Sequence, residues 1–310
     1  MTEPGTEDPN AGSPRAGELG VVTVTYSPGP VLGQFLDTLE KATTRPYQVL
    51  LADNGSTDGE PERAALRPEV TLLRTGGNLG YGRAANLAVP RLPGEWVLIA
   101  NPDVTFEPGA LDTLLAAVRR WPRAGTLGPA ILAPDGSLYP SARALPSLGR
   151  GIGHAVFGWW WPSNPWTAAY RREREAPVEG PAGWLSGSCL LVRRAAFETV
   201  GGFDPAYFMY FEDLDLCERI GRAGWQNVYV PTAVVAHEGA HATSRAPAAM
   251  LTAHHRSAYR YLSRRYAGPR WLPVRLTLRA GLAARLALSR IVGRVGEGAR
   301  PTRSASTLPR

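Results

Sequence analysis

Five short stretches of this chain carry residues whose types and spacing can do chemistry. Asp53-Asn54-Gly55-Ser56 follows the apolar run Tyr47 to Ala52. A carboxylate at the carboxyl end of a strand can accept hydrogen bonds from the edge of a pyrimidine base, where open parallel sheets bind ligands. The same residues are equally the usual components of a tight turn. Asn78-Leu-Gly80-Tyr-Gly82-Arg83-Ala-Ala-Asn86 is a Gly-rich turn running into a helix. Small residues let a backbone approach a phosphate, a helix N-terminus favours an anion, and Arg83 can pair with a diphosphate. Asn101-Pro102-Asp103 ends the apolar run Trp96 to Ala100, which points Asp103 into the same cleft. One or two carboxylates suffice to hold a hard divalent cation when a diphosphate supplies the other oxygens. A strand-ending Asx-Pro turn has the same composition.

The fourth stretch, Tyr210-Phe-Glu212-Asp213-Leu-Asp215-Leu-Cys-Glu218-Arg219, packs four acids into seven positions. Acids in the first turn of a surface helix complement its dipole. Here the segment before them, Tyr207-Phe-Met-Tyr-Phe211, is aromatic and apolar, so the acids begin in a partly desolvated place. One carboxylate there can deprotonate an acceptor hydroxyl while its neighbours orient it. The fifth is His237 in Val235-Ala-His-Glu238, after an apolar run at 228 to 230. A histidine in such a place is usually structural, and it is also a good metal ligand when it returns to a carboxylate.

Positioning these residues requires an alternation of strands and helices. Leu19 to Tyr26 is a β-branched run ended by Ser27-Pro-Gly-Pro30, and Val31 to Ala42 repeats apolar residues at helical spacing. Strands are expected at 47 to 52, 70 to 73, 96 to 100, 184 to 192 and 228 to 230. Helices are expected at 84 to 89, 109 to 121, 195 to 200, 211 to 223 and 246 to 266. Strand–helix alternation joined by short polar turns implies a parallel sheet. Residues 140 to 182 are Pro- and Trp-rich with little periodicity. Trp159 to Trp166 within them suits either buried packing or contact with an acceptor. Residues 1 to 18 read as a disordered polar tail, without the apolar core of a signal peptide.

Composition bounds the rest. With 310 residues, 44% apolar and 20% charged, the chain is long enough for one sizeable α/β domain with additions. The net charge of +7 is local: Arg264 to Arg310 holds eleven Arg against one acid, Glu297. On a helical wheel from Arg275 to Val295, Arg275, Arg279, Arg290 and Arg294 share one side. Leu278, Leu288, Ile291, Val292 and Val295 lie mostly opposite, with Arg285 interrupting. Such a helix suits an anionic membrane surface, where each basic residue contributes about 1 kcal/mol. A solvated tail is the alternative. Nucleic acid is not expected as a partner, because no recognition motif accompanies the charge. Cys189 and Cys217, each in an apolar or helical pattern, do not form a disulfide framework and fit a reduced, cytoplasmic protein. No apolar run reaches the length of a membrane span. Nothing specifies an oligomeric state, and a homodimer is among those open to it.

Taken in order, strand-Asp, Gly-rich turn, strand-Asp, aromatic-Glu-Asp and His resemble the family 2 glycosyltransferases of GT-A fold from about Val21 to Tyr266. Further stretches resemble the rhamnosyltransferase branch of that family: Val24-Thr-Tyr-Ser-Pro-Gly-Pro30, Leu50 to Gly59, Asn164-Pro-Trp166, Gly183 to Arg194 and Tyr207-Phe-Met-Tyr210. The resemblance implies an α/β nucleotide-diphospho-sugar transferase fold with a Rossmann-like, mostly parallel sheet flanked by helices. It implies a catalytic domain over 19–245, divided near 125 into a nucleotide-binding and an acceptor-binding half. C-terminal helices over 246–295 and a tail over 296–310 would complete the chain.

By position, Thr25, Tyr26 and Asp53 would line the nucleoside pocket, with Asn78, Gly82 and Arg83 near the diphosphate. Asp103 matches the last acid of the family's Asp-x-Asp metal motif, whose first acid is here Asn101. His237 matches a second metal ligand, and the implied cofactor is Mg2+ or Mn2+. Asp213 matches the catalytic base, supported by Glu212 and Asp215, while Trp184 and Gly187 would face the acceptor. The implied reaction is inverting transfer from dTDP-rhamnose to a polyprenyl-diphosphate-linked acceptor in cell-wall synthesis, at the inner face of the cell membrane. These motifs constrain fold and chemistry more tightly than the sugar, so mannosyl or galactofuranosyl transfer stays open. A non-catalytic binder of the same fold would have no need of Asp103, Asp213 and His237 together.

Overall fold

The computed structural model describes residues 18–146, 177–239 and 247–283. The expected N-terminal tail, the Trp159–Trp166 stretch with its Asn164-Pro-Trp166 motif, and the basic segment from 284 on lie outside them.

Four parallel strands form the N-terminal part of the sheet in the order β3-β2-β1-β4. They are β1 (Leu19–Thr25), β2 (Tyr47–Asp53), β3 (Val70–Arg74) and β4 (Trp96–Ala100). β1 is buried along its whole length, because both faces are covered. An uninterrupted apolar run is what a strand between two helical layers needs. The register sets Thr25 beside Asp53 and Thr23 beside Ala100, so the strand ends that carry the site share one edge.

On one face, α1 (Val31–Ala42) and α4 (Ala110–Ala117) bury Leu32, Phe35, Leu36, Leu39, Leu111 and Leu114 against Val21, Leu51 and Leu98. On the other, α3 (Tyr81–Ala88), α5 (Arg194–Thr199) and α6 (Glu212–Arg222) pack Ala84, Ala88, Phe197, Leu216 and Ile220 against Val22, Leu50 and Ile99. Full burial of one such Leu or Phe contributes about 1.5–3 kcal/mol. A short α2 (Glu60–Ala64), not expected from periodicity, leads into β3.

Beyond β4 the sheet is mixed, as the expected mostly parallel sheet allows. β11 (Cys189–Arg193) runs antiparallel to both β4 and β6 (Ala124–Leu132). β12 (Gln226–His237) is parallel to β6 and antiparallel to β5 (Val104–Phe106). The expected strand over 184 to 192 is two strands, β10 (Trp184–Leu185) and β11, separated by a loop at Ser186 to Ser188. That loop brings the chain back along β4, and Asn101 donates its N–H to the Ser188 carbonyl at 2.9 Å. β10 pairs with β8 (Ala142–Arg143). β7 (Leu138–Tyr139) and β9 (Gly180–Ala182) flank β6 and β12.

β6 escapes a periodicity reading because it contains Gly125, Gly128 and Pro129. A Cβ at Gly125 would lie 2.8 Å from both Ile220 and Trp225, so these glycines admit close packing. Pro129 offers no N–H to the ladder, and the register of β12 shifts between Val230 and Val234 beside it. Instead of three residues, β12 has twelve and carries His237 to the site.

The described residues divide into two compact units. The first runs through Phe208 and resumes at Glu212; the second joins Met209–Phe211 to the C-terminal helices. In the second, α7 (Pro247–Arg265) presents His254 to the rings of Tyr210 and Phe211, with centroids 5.3 and 5.4 Å apart. Ser257 Oγ donates to the Met209 carbonyl at 2.8 Å. A further helix, described over 272–283, exposes Leu272 and Leu276. Among the described residues no helix is long and apolar enough to cross a membrane.

Candidate active site

At the ends of β1 and β2, Asp53 is buried and heavily bonded. Its Oδ1 accepts from Thr25 Oγ1 at 3.0 Å and from the N–H and Oγ of Ser56, while Oδ2 makes two longer contacts, with Ser56 N and Arg74 Nη1 at 3.3 Å. Oδ2 is therefore the oxygen with capacity left for a ligand. Ser27, at a left-handed φ of 49°, donates its N–H to Ser56 Oγ, and Gly29 donates to Asp58 Oδ2. These bonds lock the two loops together and leave Tyr26 half exposed beside Asp53.

The Gly-rich turn is held from below. Asn54 is buried, donates to the Gly80 carbonyl and accepts from Thr75 Oγ1 and the Leu79 N–H. Asn78 accepts the Gly80 N–H at 3.1 Å, which makes its side chain part of the turn. Gly80 has φ of 84°, and a Cβ there would meet the Phe208 carbonyl oxygen at 2.2 Å. The expected helix start at Ala84 moves to Tyr81, because Gly80 turns the chain and Phe208 accepts the Tyr81 N–H. Gly82 is buried with its Cα against Phe203, where a Cβ would approach within 2.7 Å. Its small size serves packing under Phe203. Arg83 stands exposed on the first turn of α3 and bonds to no described residue.

Asp103 and His237 meet at the end of β12. The β5–β12 register places His237 beside Val104, and Glu238 N–H bonds to the Asp103 carbonyl. Asp103 Oδ1 lies 3.0 Å from His237 Nε2, with the Asn101 amide 3.2 Å from the same nitrogen. An imidazole nitrogen presenting a lone pair repels a carboxylate oxygen at that distance, unless a proton or a cation lies between them. Donor atoms at adjacent corners of an octahedron with bonds of about 2.1 Å sit about 3.0 Å apart, so the pair fits a small divalent ion. Among the described residues no cluster of three or more His, Cys, Asp and Glu forms a closed cage. A bound ion would take its other ligands from substrate oxygens and water.

The second carboxylate corner is at the start of α6. Tyr210 and Phe211 both adopt left-handed φ, 68° and 67°, immediately before Glu212. Such values cost on the order of 1 kcal/mol each for bulky residues. Asp213 Oδ2 accepts the Gly187 N–H at 2.8 Å and Oδ1 accepts the Leu214 N–H at 2.8 Å. Burial pushes the Asp213 pKa up, and the two backbone donors and the Arg143 charge only partly offset it. Glu212 is raised as well, first by burial and then by repulsion from Asp213, and its Oε2 is buried without a hydrogen-bond partner. Two backbone donors on Asp213, against none on Glu212 Oε2, favour placing the pair's charge on Asp213. Asp215 turns away to an ion pair with Arg219 at 2.7 Å, and Arg219 ties α6 to the Val200 carbonyl.

Tyr81 joins the two corners. Its hydroxyl donates to the Gly187 carbonyl at 2.8 Å. Burial, then the charges of Glu212, Asp213 and Asp103, hold its phenol far above the ordinary tyrosine range, so it remains a donor. Trp184 borders the same loop with the Arg143 guanidinium stacked 5.7 Å from its ring centroid. Residue patterns did not single out Tyr81, Asn54 or Arg143. Tyr81 and Asn54 lie inside recognised motifs, whereas Arg143 has no sequence signal at all.

The glycosyl transferase family 2 pattern matches residues 20–201. The chain is 59% identical over 279 residues to N-acetylglucosaminyl-diphospho-decaprenol L-rhamnosyltransferase of Mycobacterium tuberculosis, covering 86% of this chain and 91% of that protein. It is 30% identical over 199 residues to rhamnosyltransferase WbbL of Escherichia coli K12, covering 62% and 73%. In fold it resembles the mannosyltransferase PcManGT of Pyrobaculum calidifontis, solved with GDP-Man and Mn2+ (TM-score 0.55, 19% identity, 98% of this chain and 81% of that one). GalNAc-T7, solved with UDP, GalNAc and Mn2+, matches with TM-score 0.54 and 15% identity over 72% of this chain and 44% of that one. With a GT-A sheet and both carboxylate corners in place, the chain belongs to glycosyl transferase family 2.

Proposed function

We propose that this protein transfers L-rhamnose from dTDP-β-L-rhamnose to N-acetylglucosaminyl-diphospho-polyprenol, with inversion, in building the linkage unit of cell-wall arabinogalactan. The observation that carries the chemistry is the adjacency of two carboxylate corners, Asp103 with His237 and Asp213 beneath Gly187, joined through Asn101 N–H and Ser188. The extent of identity to the mycobacterial rhamnosyltransferase supports the sugar and the acceptor.

Tyr26 and Thr25 border the nucleoside, and Asp53 Oδ2 accepts from the base edge. Asp103 and His237 would hold Mg2+ or Mn2+, which would supply Lewis-acid stabilisation of the departing diphosphate. Arg83 adds an exposed positive charge at the mouth of the Gly-rich turn. Asp213 takes the proton of the acceptor hydroxyl as that oxygen bonds to the anomeric carbon. The carbon–oxygen bond to the diphosphate breaks on the opposite face, so the β-configured donor yields an α-rhamnoside. Gly187 and Leu214 hold the carboxylate in orientation, and Trp184 lines the acceptor side.

The acceptor is a lipid, so the enzyme works at the cytoplasmic face of the membrane as a peripheral protein. Exposed Leu272 and Leu276, with Arg275 and Arg279 on the same helix, support this placement. Liposome flotation with and without residues 268 to 310 tests it; equal flotation of both forms removes the membrane role.

The activity itself is tested by incubating the protein with divalent metal and N-acetylglucosaminyl-diphospho-polyprenol. dTDP-rhamnose, UDP-galactofuranose and GDP-mannose are offered separately and the lipid product is weighed by mass spectrometry. A deoxyhexose added from dTDP-rhamnose alone, and lost with chelator, is the expected result. Transfer from another donor would overturn the sugar and keep the fold and base.

A further inference from the structure

The acceptor side holds one cation that the reaction as described does not use. Arg143, at the end of β8, has its guanidinium carbon 5.7 Å from the ring centroids of both Tyr139 and Trp184. Its Nε donates to the Pro140 carbonyl at 2.8 Å, which fixes the plane of the group. It forms no ion pair with a described carboxylate, so Nη1 and Nη2 remain open.

Arg143 and Tyr139 border a cavity of about 490 Å3, lined also by Ser141, Glu179 and Tyr229. Glu179 is already committed, since it accepts from Arg120 at 2.8 and 2.7 Å and from the Trp121 indole at 2.8 Å. Arg143 is therefore the unneutralised charge among the described lining residues.

The wall that carries Arg143 is tied through the backbone to Asp213. Arg143 pairs with Trp184 across β8 and β10, Ser186 N–H bonds to the Ser141 carbonyl at 2.8 Å, and the next residue is Gly187 on Asp213. A guanidinium held beside two aromatic rings is suited to two parallel bonds with phosphate oxygens, and in a partly desolvated wall those bonds are strong. In a sugar-diphospho-lipid, a single pyranose ring separates the attacking hydroxyl from the phosphate. An acceptor whose hydroxyl reaches Asp213 thus carries its phosphate one ring away, and Arg143 is a cation whose charge acts on Asp213. The donor's diphosphate belongs to the other corner, at Asp103.

We infer that Arg143 is the receptor for the diphosphate of the lipid-linked acceptor and makes the cavity select charged acceptors over neutral glycosides. This rests on the proposed activity for the identity of the acceptor. It also couples binding to chemistry: a phosphate on Arg143 cancels the positive field that acts on Asp213, so the base is strongest once the acceptor is seated.

Isothermal titration of the full chain tests this with two probes, N-acetylglucosaminyl-diphospho-farnesol and the neutral farnesyl N-acetylglucosaminide, and with dTDP as control. The wild type should prefer the charged probe, and Arg143→Gln should weaken it by about tenfold to a hundredfold, the range for bonds to a charged group. The neutral probe and dTDP should bind as before, and Arg143→Lys should recover part of the preference. Equal affinity of the wild type for both probes would overturn the inference, as would an equal loss of both in Arg143→Gln. Unchanged dTDP binding establishes that the variant is folded. The donor is judged separately: discrimination through Arg143 without rhamnose transfer overturns dTDP-rhamnose and leaves Arg143 standing, and transfer without discrimination does the reverse.

Discussion

Gly187 donates its backbone N–H to Asp213 at 2.8 Å while its carbonyl accepts from Tyr81 at 2.8 Å. One residue without a side chain therefore sets the Asp213 carboxylate and ties it to the Tyr81 phenol. The fit is close: a Cβ at position 187 would lie 3.0 Å from Asp213 Cβ and 3.4 Å from Oδ2.

Replacing Gly187 by alanine should displace Asp213 while leaving the nucleotide side intact. The expected result is a loss of kcat of about a hundredfold, since small misplacements of a reacting group cost that much. dTDP affinity and the circular dichroism spectrum should be unchanged. A kcat within twofold of wild type would show that the contact does not position the base.

Glu212 and Asp213 should respond oppositely to neutral isosteres. Glu212 is buried and its pKa is pushed from the ordinary 4.5 up to about 8, so it holds a proton at neutral pH. Glu212→Gln should therefore retain kcat at pH 7 within about threefold, as replacement of one neutral group by another. Stability carries the sign of this shift. The folded state binds more protons than the unfolded state between pH 4.5 and about 8, so wild-type stability is greatest below that window and falls as pH rises through it. The variant lacks this loss, and its Tm should gain on the wild type between pH 5 and 8 by differential scanning fluorimetry. Parallel Tm curves would contradict a buried, protonated Glu212.

Beside Asp103 and His237, Asn101 stands where the family motif has its first acid. Asn101→Asp adds a carboxylate beside His237 and should lower the Mn2+ concentration for half-maximal activity by about tenfold, a change on the order of 1.4 kcal/mol. His237→Ala should raise it at least as much. Activity of His237→Ala that is insensitive to metal concentration would remove His237 from the ligand set.

Much of this architecture is legible in the residues, for reasons that differ along the chain. β2 and β4 are largely apolar runs leading into Asp53 and Asn101, and β1 is a β-branched run ended by the Ser27 to Pro30 turn, so strand, direction and site residue are read together. β6 is hidden because Gly125 and Gly128 make room for Ile220, Trp225 and Leu185, contacts that exist only in the folded protein. Gly82 illustrates the same limit: its spacing suggests a phosphate cradle, and Phe203 takes the space. Asp215 sits among the acids of α6, yet its carboxylate is held by Arg219 four residues on. Arg143 acquires its meaning only from β10, which arrives some forty residues later to set Trp184 against it.

The central claim is that Asp213 is the base, and single turnover measures it most directly. Asp213→Asn should bind dTDP-rhamnose as the wild type does and transfer sugar at least about a thousandfold more slowly, within the range that general base catalysis supplies. A variant that transfers rhamnose within tenfold of the wild-type rate, with donor binding intact, would contradict the account.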